Sequence, residues 1–289
     1  MHRSIPFSFL CVLFLFSPAL ADQTLVSAKI STVPIIDGKA EDDAWAVAKA
    51  ITTHDMVADL DIIIKSVYTD EQIFFLVTFA DADESRLHRS WKWDKTKQLY
   101  GMGPDREDIF VLKWNLSQHP VDLSIYADNP YTADIWFWKA CRTDPQGYAD
   151  DKIQVLSSEP QNKAEDVFSK SGKTMFLLRT GDQGKSTYKS TILLDYQGDI
   201  VPQFTYRQPT ASRADVQAKG IWANGRWTLE FARKLNTRHL DDIQFTPVAA
   251  YQFGVSRYEI AGRPEEPESE QPKYGTGDVS ENLTLIFGK

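Results

Sequence analysis

Short strand-like runs separated by turn residues constrain the fold of this chain more than any other feature. Apolar runs over residues 62–68 and 73–79 flank a polar break at 69–72, which predicts a β-hairpin. Asn224-Gly225 stands between two further β-type runs. That dipeptide favours a type I′ turn, because both central residues of such a turn need a positive φ. The sequence therefore predicts antiparallel strand pairs in both halves of the chain.

Further strands and few helices complete the predicted pattern. Strands are expected from Glu107, from Val248 and over the C-terminal residues 281–289. Short helices are expected over residues 42–50 and 84–91. Many short strands with turn signals between them are typical of β-sandwiches and barrels. We therefore predict an all-β fold, an antiparallel β-sandwich with a few short helices.

The N-terminus carries the pattern of a secretory signal peptide. Arg3 precedes a short apolar run, and Ala19-Leu20-Ala21 fits a small-residue cleavage site. We expect residues 1–21 to be removed and residues 22–289 to form one domain, located in the periplasm or secreted. The apolar run is too short to favour an uncleaved anchor, and no second such run follows. No membrane span is therefore expected after cleavage.

Charge and cysteine content exclude several classes of function. The net charge is −8 at pH 7, and phosphate binding needs a basic surface, so nucleic acid is not an expected partner. Cys11 lies in the signal segment, which leaves Cys141 alone in the mature chain. No disulfide and no covalent haem attachment through Cys-x-x-Cys-His is expected. Cys141 is predicted to be a small buried hydrophobe.

The segment DIWFWK, residues 134–139, combines aromatic side chains with a lysine. In an extended strand, Trp136 and Trp138 share one face, whereas Phe137 and Lys139 share the other. Both faces carry apolar bulk, so both are expected to be covered. The tryptophans can serve as core, as the wall of a cofactor pocket or as a platform for a sugar, and core is the most ordinary of the three.

Met102 and His88 have the chemistry most suggestive of a bound group. Met102 lies in YGMGPDRED, between glycines that let an object approach the backbone closely. His88 lies in LHRSWKWD, beside two tryptophans. Haem iron accepts methionine and histidine as axial ligands. Taken alone, a gap-filling methionine and a hydrogen-bonding histidine are the more ordinary interpretations.

Paired carboxylates give little support for catalysis. The run Asp105 to Asp108 and the pair Asp150-Asp151 contain adjacent acids, but charged turns of this kind are mostly solvated turn formers. The sequence contains no zinc or calcium template, no glycine-rich phosphate loop and no Gly-x-Ser-x-Gly elbow. The protein is therefore expected not to be an enzyme.

Taken together, several segments resemble one family. The matching pieces, in chain order, are IDGKAEDDAW, FADADES, LHRSWKWD, PDREDIFVLKWN, DIWFWKACRTDPQGYADD, WANGRWTLEFARKL and GDVSENLTLIF. They are similar to the haem-binding domain of the γ subunits of ethylbenzene dehydrogenase and dimethylsulfide dehydrogenase and of related periplasmic cytochromes. The resemblance covers nearly the whole mature chain. Its most specific part is the tryptophan–lysine–arginine segment followed by GYADD.

The resemblance implies an immunoglobulin-like or lipocalin-like β-sandwich that holds a non-covalent haem b and transfers electrons. Implied partners are molybdopterin and iron–sulfur subunits, or a membrane or soluble cytochrome. In the γ subunits a methionine and a lysine bind the iron. Here Met102 is the expected methionine and Lys273 the expected lysine, with Lys139 a weaker candidate and His88 an alternative ligand. The other expected cofactor-binding residues are Trp91, Trp136, Trp138 and Arg142, with Arg89 and Arg106 as further donors to the propionates.

A carbohydrate-binding β-sandwich without a cofactor is the alternative. The Asp-Gly to Trp segment, residues 37–45, is shared with wider β-sandwich relatives that include family 9 carbohydrate-binding modules, and the chain has 8 tryptophans. Sugar binding needs exposed, coplanar aromatic rings. Complete burial of the tryptophans at positions 91, 93, 136 and 138 would count against this alternative.

Overall fold

Strands make up most of the regular structure. The computed structural model describes residues 23–258 and 278–289. Within them, three single turns of 3-10 helix lie at Asp43–Ala46, Asp144–Gln146 and Ala211–Ala214. The strands are β1 Gln23–Lys29, β2 Ile51–Asp55, β3 Leu60–Tyr68, β4 Gln72–Ala80, β5 Trp91–Asp94, β6 Leu99–Met102, β7 Ile109–Asn115, β8 Tyr131–Lys139, β9 Asp150–Ser157, β10 Glu165–Phe168, β11 Thr174–Gly181, β12 Tyr188–Ser190, β13 Ile200–Val201, β14 Phe204–Tyr206, β15 Gln217–Trp222, β16 Arg226–Lys234, β17 Tyr251–Tyr258 and β18 Leu283–Phe287. The prediction of an all-β fold is confirmed.

Both predicted hairpins are present. β3 and β4 pair antiparallel, and the hydroxyl of Thr69 in the turn accepts the backbone N–H of Gln72 at 3.1 Å. β15 and β16 pair antiparallel around Asn224 and Gly225, whose φ angles are 53° and 72°. Two positive φ angles in succession are the type I′ geometry that the dipeptide predicts.

The sandwich consists of two sheets that share β1. One sheet has the order β10-β11-β9-β8-β7-β17-β18-β1, and the other has β1-β3-β4-β16-β15 with β2 beside β3. Residues 23–27 of β1 pair in parallel with β18, and residues 28–29 pair in parallel with β3, so one strand crosses between the sheets. On the opposite side, the Ala149 N–H donates to the Val216 carbonyl at 3.0 Å. The two layers are therefore joined at both sides.

The main core lies between these sheets and includes one face of β8. Trp136 and Trp138 are fully buried there, and their rings lie 5.3 Å from Trp114 and 4.9 Å from Trp227. Phe137 belongs to a second apolar cluster that covers the other face of β8. Burying a large aromatic side chain contributes roughly 2–3 kcal/mol, which makes β8 a central stabilising strand. The predicted two-sided burial of this segment is confirmed.

Neither of the two predicted helices forms as expected. Residues 42–50 form only one 3-10 turn, and residues 84–91 contain no helix. The second segment pairs instead with the chain before β7, because the Arg89 N–H donates to the Asp105 carbonyl at 2.8 Å and the Asp108 N–H donates to the Ser85 carbonyl at 2.9 Å. These long-range bonds replace the local i to i−4 bonds that a helix needs.

Two short sheets lie outside the sandwich order and carry most of the candidate site. One has the order β13-β5-β6, and the other is the pair β12-β14. No helix within the described residues is long and apolar enough to cross a membrane. The predicted signal segment, residues 1–21, lies outside the described residues.

Candidate functional site

The β13-β5-β6 sheet positions Met102 and Trp91. The antiparallel register places Met102 directly opposite Trp91, so both side chains lie on one face, together with Trp93 and Tyr100. Met102 is 54% exposed, whereas Trp91 is half-buried and donates its indole N–H to the Thr191 carbonyl at 3.1 Å. The sheet therefore presents a thioether beside aromatic rings.

The aromatic rings of this face are not coplanar. The half-buried Trp93 contacts Tyr100 at 4.9 Å and Tyr196 at 5.3 Å between ring centroids, each at an interplanar angle of 65°. Such edge-on packing differs from the flat, exposed platform that stacking on a sugar ring requires. Trp136 and Trp138 are fully buried in the core. Of the tryptophans weighed for sugar binding, two are buried and two are half-buried.

The Asp-Gly to Trp segment has a structural role. Trp45 is 1% exposed and donates its indole N–H to Glu230 Oε1 at 2.9 Å. The backbone N–H groups of Asp37 and Gly38 donate to Glu230 Oε2 at 3.0 and 2.8 Å. The motif thus anchors the N-terminal segment to the buried carboxyl group on β16, and its tryptophan does not face solvent.

His88 lies in a buried, cation-rich pocket. Its side chain is 11% exposed, its ring centroid lies 5.9 Å from that of Phe204, and its Nδ1 lies 3.5 Å from Glu107 Oε1. That distance is too long for a hydrogen bond, and Nδ1 has no hydrogen-bond partner within residues 23–258 and 278–289. Burial, reinforced by the charges of Arg142 and Arg106, holds the pKa of His88 well below its usual range. The imidazole is therefore neutral.

Glu107 fixes one wall of this pocket. It is 1% exposed, and its Oε2 accepts the backbone N–H groups of Cys141 at 2.7 Å and of Arg142 at 2.9 Å. Its Oε1 accepts Nε of Arg142. The guanidinium also lies 5.5 Å from the ring centroid of Tyr188 and 5.6 Å from that of Phe204. Arg142 is thus held by both charge and aromatic contact.

Lys139 adjoins the pocket as part of a buried ion-pair network. Its ammonium group donates to Asp150 Oδ2 at 2.6 Å and to the Tyr188 hydroxyl at 3.2 Å. Burial lowers the pKa of Lys139 to about 8, although Asp150 opposes the shift. Asp150 also pairs with Lys152 and Arg213, and despite burial these cations hold the pKa of Asp150 well below its usual range. The ammonium group of Lys139 is therefore held in an ion pair with Asp150.

The structure brings some of the predicted site residues together and separates others. His88, Arg142 and Lys139 share one neighbourhood, and His88 lies three residues before Trp91, the pairing partner of Met102. Trp136 and Trp138 face the main core, on the side of β8 opposite to Lys139. Lys273 lies outside the described residues.

Three pocket residues have no distinctive signal in the sequence. Glu107 belongs to an acidic run that the sequence predicts to be a solvated turn. In the structure it is buried, because the chain enters β7 immediately afterwards. Phe204 and Tyr188 come from the β12-β14 pair, which is remote in sequence from His88.

Cys141 is half-buried, and burial together with the charge of Glu107 raises the pKa of its thiol to about 11, so it is not a reactive thiolate.

Comparison with known proteins gives one family match and distant structural likenesses. Residues 34–262 match the family model described as "Ethylbenzene dehydrogenase". No curated protein matches the chain. A family 9 carbohydrate binding module from Caldicellulosiruptor kristjanssonii, in complex with glucose, is 9% identical over 92% of this chain and 96% of its own, with a TM-score of 0.41. The cellotriose complex of a family 9 module from the same organism is 8% identical over 92% and 95%, with a TM-score of 0.38. Likenesses of this size carry no argument about function.

Proposed function

This chain belongs to the ethylbenzene dehydrogenase family, and on that premise we propose that it is a periplasmic protein that binds haem b and transfers electrons. The observation that carries the proposal is an exposed thioether, Met102, on the sheet that adjoins the cation-rich pocket of His88. In a chain with a net charge of −8, such a concentration of arginines suits an anionic group.

The available donors fit haem iron. Methionine and neutral histidine are both ordinary axial ligands. The exposed Met102 can be reached without rearrangement, whereas His88 is wedged between Glu107 and Phe204. We therefore assign Met102 as the first ligand and keep His88 as the alternative. Lys273, known here only from the sequence, is proposed as the second ligand.

The pocket also offers partners for the propionate groups. Arg89, Arg106 and Arg142 lie around His88, and Nε of Arg89 is buried without a hydrogen-bond partner in the described part of the chain. Arginine binds carboxylates well because its planar fork donates two parallel hydrogen bonds. Trp91 would form a wall on the Met102 face, while Trp136 and Trp138 would support the site from the core. Lys139 remains the weaker ligand candidate, since it would have to give up its ion pair.

Bound haem would supply one-electron redox chemistry, and the protein would bind, orient and shield it. The axial donors and the surrounding positive charge would set the reduction potential. We propose a binding and electron-transfer role without catalysis of its own. Molybdopterin or iron–sulfur subunits, or a membrane or soluble cytochrome, are the proposed partners.

Haem titration with matched methionine variants tests the proposal. Haem-free protein comprising residues 22–289 is titrated with haemin, and its Soret band is followed. We expect saturation at one haem per chain and at least a tenfold weaker affinity, with an altered spectrum, in Met102→Ala and Lys273→Ala. Met56→Ala is the control, because Met56 is 72% exposed and far from the pocket in sequence. It should match the wild type.

Two results would contradict the proposal. The first is the absence of a saturable Soret band. The second is an identical band in Met102→Ala, His88→Ala and Lys273→Ala. Saturable binding to an oligosaccharide array that is lost in Trp93→Ala would favour the carbohydrate-binding alternative instead, since Trp93 and Tyr196 are the partly exposed aromatic pair.

A further inference from the structure

Four aspartates converge in the interior on the face of β8 that carries Trp136. Carboxylate oxygens of Asp134, Asp151 and Asp242 all lie within 4.8 Å of one another. Asp182 lies beside them, close enough that its charge raises the pKa of Asp151. These four residues, termed the aspartate cluster, come from β8, from β9, from the end of β11 and from the loop before β17. None of them is more than 8% exposed.

An independent observation is that most of the inward oxygens accept no hydrogen bond from the part of the chain that the structure describes. Asp151 is 0% exposed, and neither of its carboxylate oxygens has a hydrogen-bond partner among the described residues. The same holds for both carboxylate oxygens of Asp182, for Oδ1 of Asp134 and for Oδ2 of Asp242. An unsatisfied buried polar atom costs about 1–3 kcal/mol, so six of them in one place call for a bound group.

The carboxylate oxygens on the outside of the cluster accept hydrogen bonds from the protein. These bonds orient the oxygens that point inward. Asp134 Oδ2 accepts Nη1 of Arg233 at 2.6 Å and the Ile243 N–H at 3.0 Å. Asp242 Oδ1 lies 3.3 Å from the Ser212 hydroxyl, whose single proton is shared with Asp241 Oδ1 at 3.0 Å. The backbone N–H of Asp182 donates to the Asp151 carbonyl at 3.3 Å, which ties the end of β11 to β9. The cluster is therefore built by tertiary contacts.

The positive charge supplied by the protein does not balance the cluster. Arg233, fully buried, forms its ion pair with Asp134. Burial and mutual repulsion raise the pKa of Asp134 and Asp151 above the usual range and that of Asp182 to about 8. The other charged or titratable groups that face these carboxylates are Asp215, Asp241, His239 and Arg213. Either protons or a bound cation must neutralise the cluster.

We propose that the aspartate cluster is a Ca²⁺ site. The three carboxylates that meet within 4.8 Å offer oxygens, which hard cations prefer. His239 Nδ1 lies 4.0 Å from Asp242 Oδ2, but it is paired with Asp215. Ca²⁺ accepts six to eight oxygens in irregular geometry, which suits carboxylates from four separate segments with water completing the shell. Mg²⁺ demands a near-ideal octahedron. His239 is engaged at the rim by Asp215 at 2.5 Å.

The site has a consequence for the fold and a route of entry. A bound ion would link β8, β9 and β11 to the loop that precedes β17. Asp182 and Asp242 are 8% and 5% exposed, and the adjoining Asp215 and His239 are partly exposed, so this side leads to solvent. The site lies on the core side of β8, on the face opposite to Lys139.

Calcium binding is tested on haem-free, chelator-treated protein comprising residues 22–289. Titration with CaCl₂ by calorimetry should give one ion per chain. Tb³⁺ should give luminescence sensitised by Trp136, whose indole N–H lies 3.4 Å from Asp134 Oδ2. We expect at least a 30-fold loss of affinity in Asp151→Asn and Asp182→Asn, the second of which lies at the rim. Asp195→Asn removes an exposed carboxylate elsewhere and should bind normally.

The pH dependence gives a second readout. Binding requires ionised carboxylates, so Ca²⁺ should bind more tightly at pH 8.5 than at pH 5.5 and should release protons. Failure of wild-type protein to bind Ca²⁺ would overturn the proposal and leave a protonated cluster. Equal affinity in Asp151→Asn, Asp182→Asn and Asp195→Asn would also overturn the proposal, because the bound Ca²⁺ would then be an adventitious ion only. Mg²⁺ binding as tight as Ca²⁺ binding would overturn the choice of cation. All of these outcomes are independent of the haem titration.

Discussion

Asp150 and Asp151 show how one step along a strand separates two neighbouring residues. Successive side chains of a strand point to opposite faces, so Asp150 meets Lys139 while Asp151 enters the aspartate cluster. Cations hold the pKa of Asp150 low, whereas burial and neighbouring carboxylates raise that of Asp151. The same residue type at adjacent positions is thus an ion-pair partner in one case and a proposed metal ligand in the other.

Removal of the Asp150 carboxylate should be strongly destabilising. Asp150→Ala would leave the buried Lys139 and the half-buried Lys152 next to each other without their shared partner, and breaking a buried pair such as that of Lys139 costs about 3–5 kcal/mol. Urea unfolding measures the loss. Asp70→Ala, which breaks the exposed pair with Lys29, should have a far smaller effect. Similar losses in the two variants would contradict the buried network.

At the scale of the element, the backbone of β15 packs directly against the core at Gly220. A Cβ atom at Gly220 would lie 2.5 Å from Cζ2 of Trp138 and 2.6 Å from Cδ2 of Leu229. The absence of a side chain lets the Gly220 N–H donate to Asp144 Oδ1 at 2.6 Å, and the indole N–H of Trp138 donates to the same oxygen at 3.0 Å. One carboxylate therefore ties the edge strand to the fully buried tryptophan of DIWFWK.

Gly220→Ala should destabilise the protein by about 2 kcal/mol, because both neighbours are fully buried and overpacking in a core costs 1–3 kcal/mol. Thermal or urea unfolding provides the measurement. Gly101→Ala is the matched control within a strand, since no atom of the described residues lies within 4 Å of its added Cβ, and its effect should stay within about 0.5 kcal/mol. Equal effects at the two positions would argue against a tight contact between β15 and Trp138.

At the scale of the whole molecule, buried acids dominate the dependence of stability on pH. Burial raises the pKa of Asp182 to about 8 and those of Asp108 and Glu230 to about 7. Between about pH 4, where such groups titrate in the unfolded chain, and these values, the folded state binds more protons. Stability therefore falls as the pH rises. The lowered pKa of His88 acts in the opposite direction below pH 6.5, where the acids outnumber it. The lowered pKa values of Lys113, Lys139 and Lys152 act in the opposite direction above about pH 7, so the fall in stability is expected below that pH.

The melting temperature of ion-free protein should accordingly fall from pH 5 to pH 7. Differential scanning calorimetry in the presence of a chelator measures this trend. Asp182→Asn should reduce the slope, because the amide does not titrate. A melting temperature that rises steadily over this range would contradict the raised pKa values. Added Ca²⁺ should restore most of the lost stability at pH 7, because the bound ion neutralises the aspartate cluster.

Local patterns were sufficient for much of the fold. The alternation in DIWFWK predicts that Trp136 and Trp138 share a face, and the Asn224-Gly225 dipeptide predicts its hairpin, because strand geometry and turn geometry are local properties of the chain. Met102 stood out through its chemistry and its flanking glycines, and the structure leaves that thioether exposed. The prediction of a helix over residues 84–91 is wrong, because the backbone of this segment forms hydrogen bonds with Asp105 and Asp108 instead.

Tertiary structure alone decided the environment of each charged group. The sequence by itself determined an all-β chain, its hairpins and a two-sided β8. It could not show that Glu107 would be buried against Arg142, or that Asp134 and Asp242, 108 residues apart in sequence, would meet. Charge and hydrogen bonding act over a few ångströms in space, and which residues come within that distance depends on how the two sheets pack.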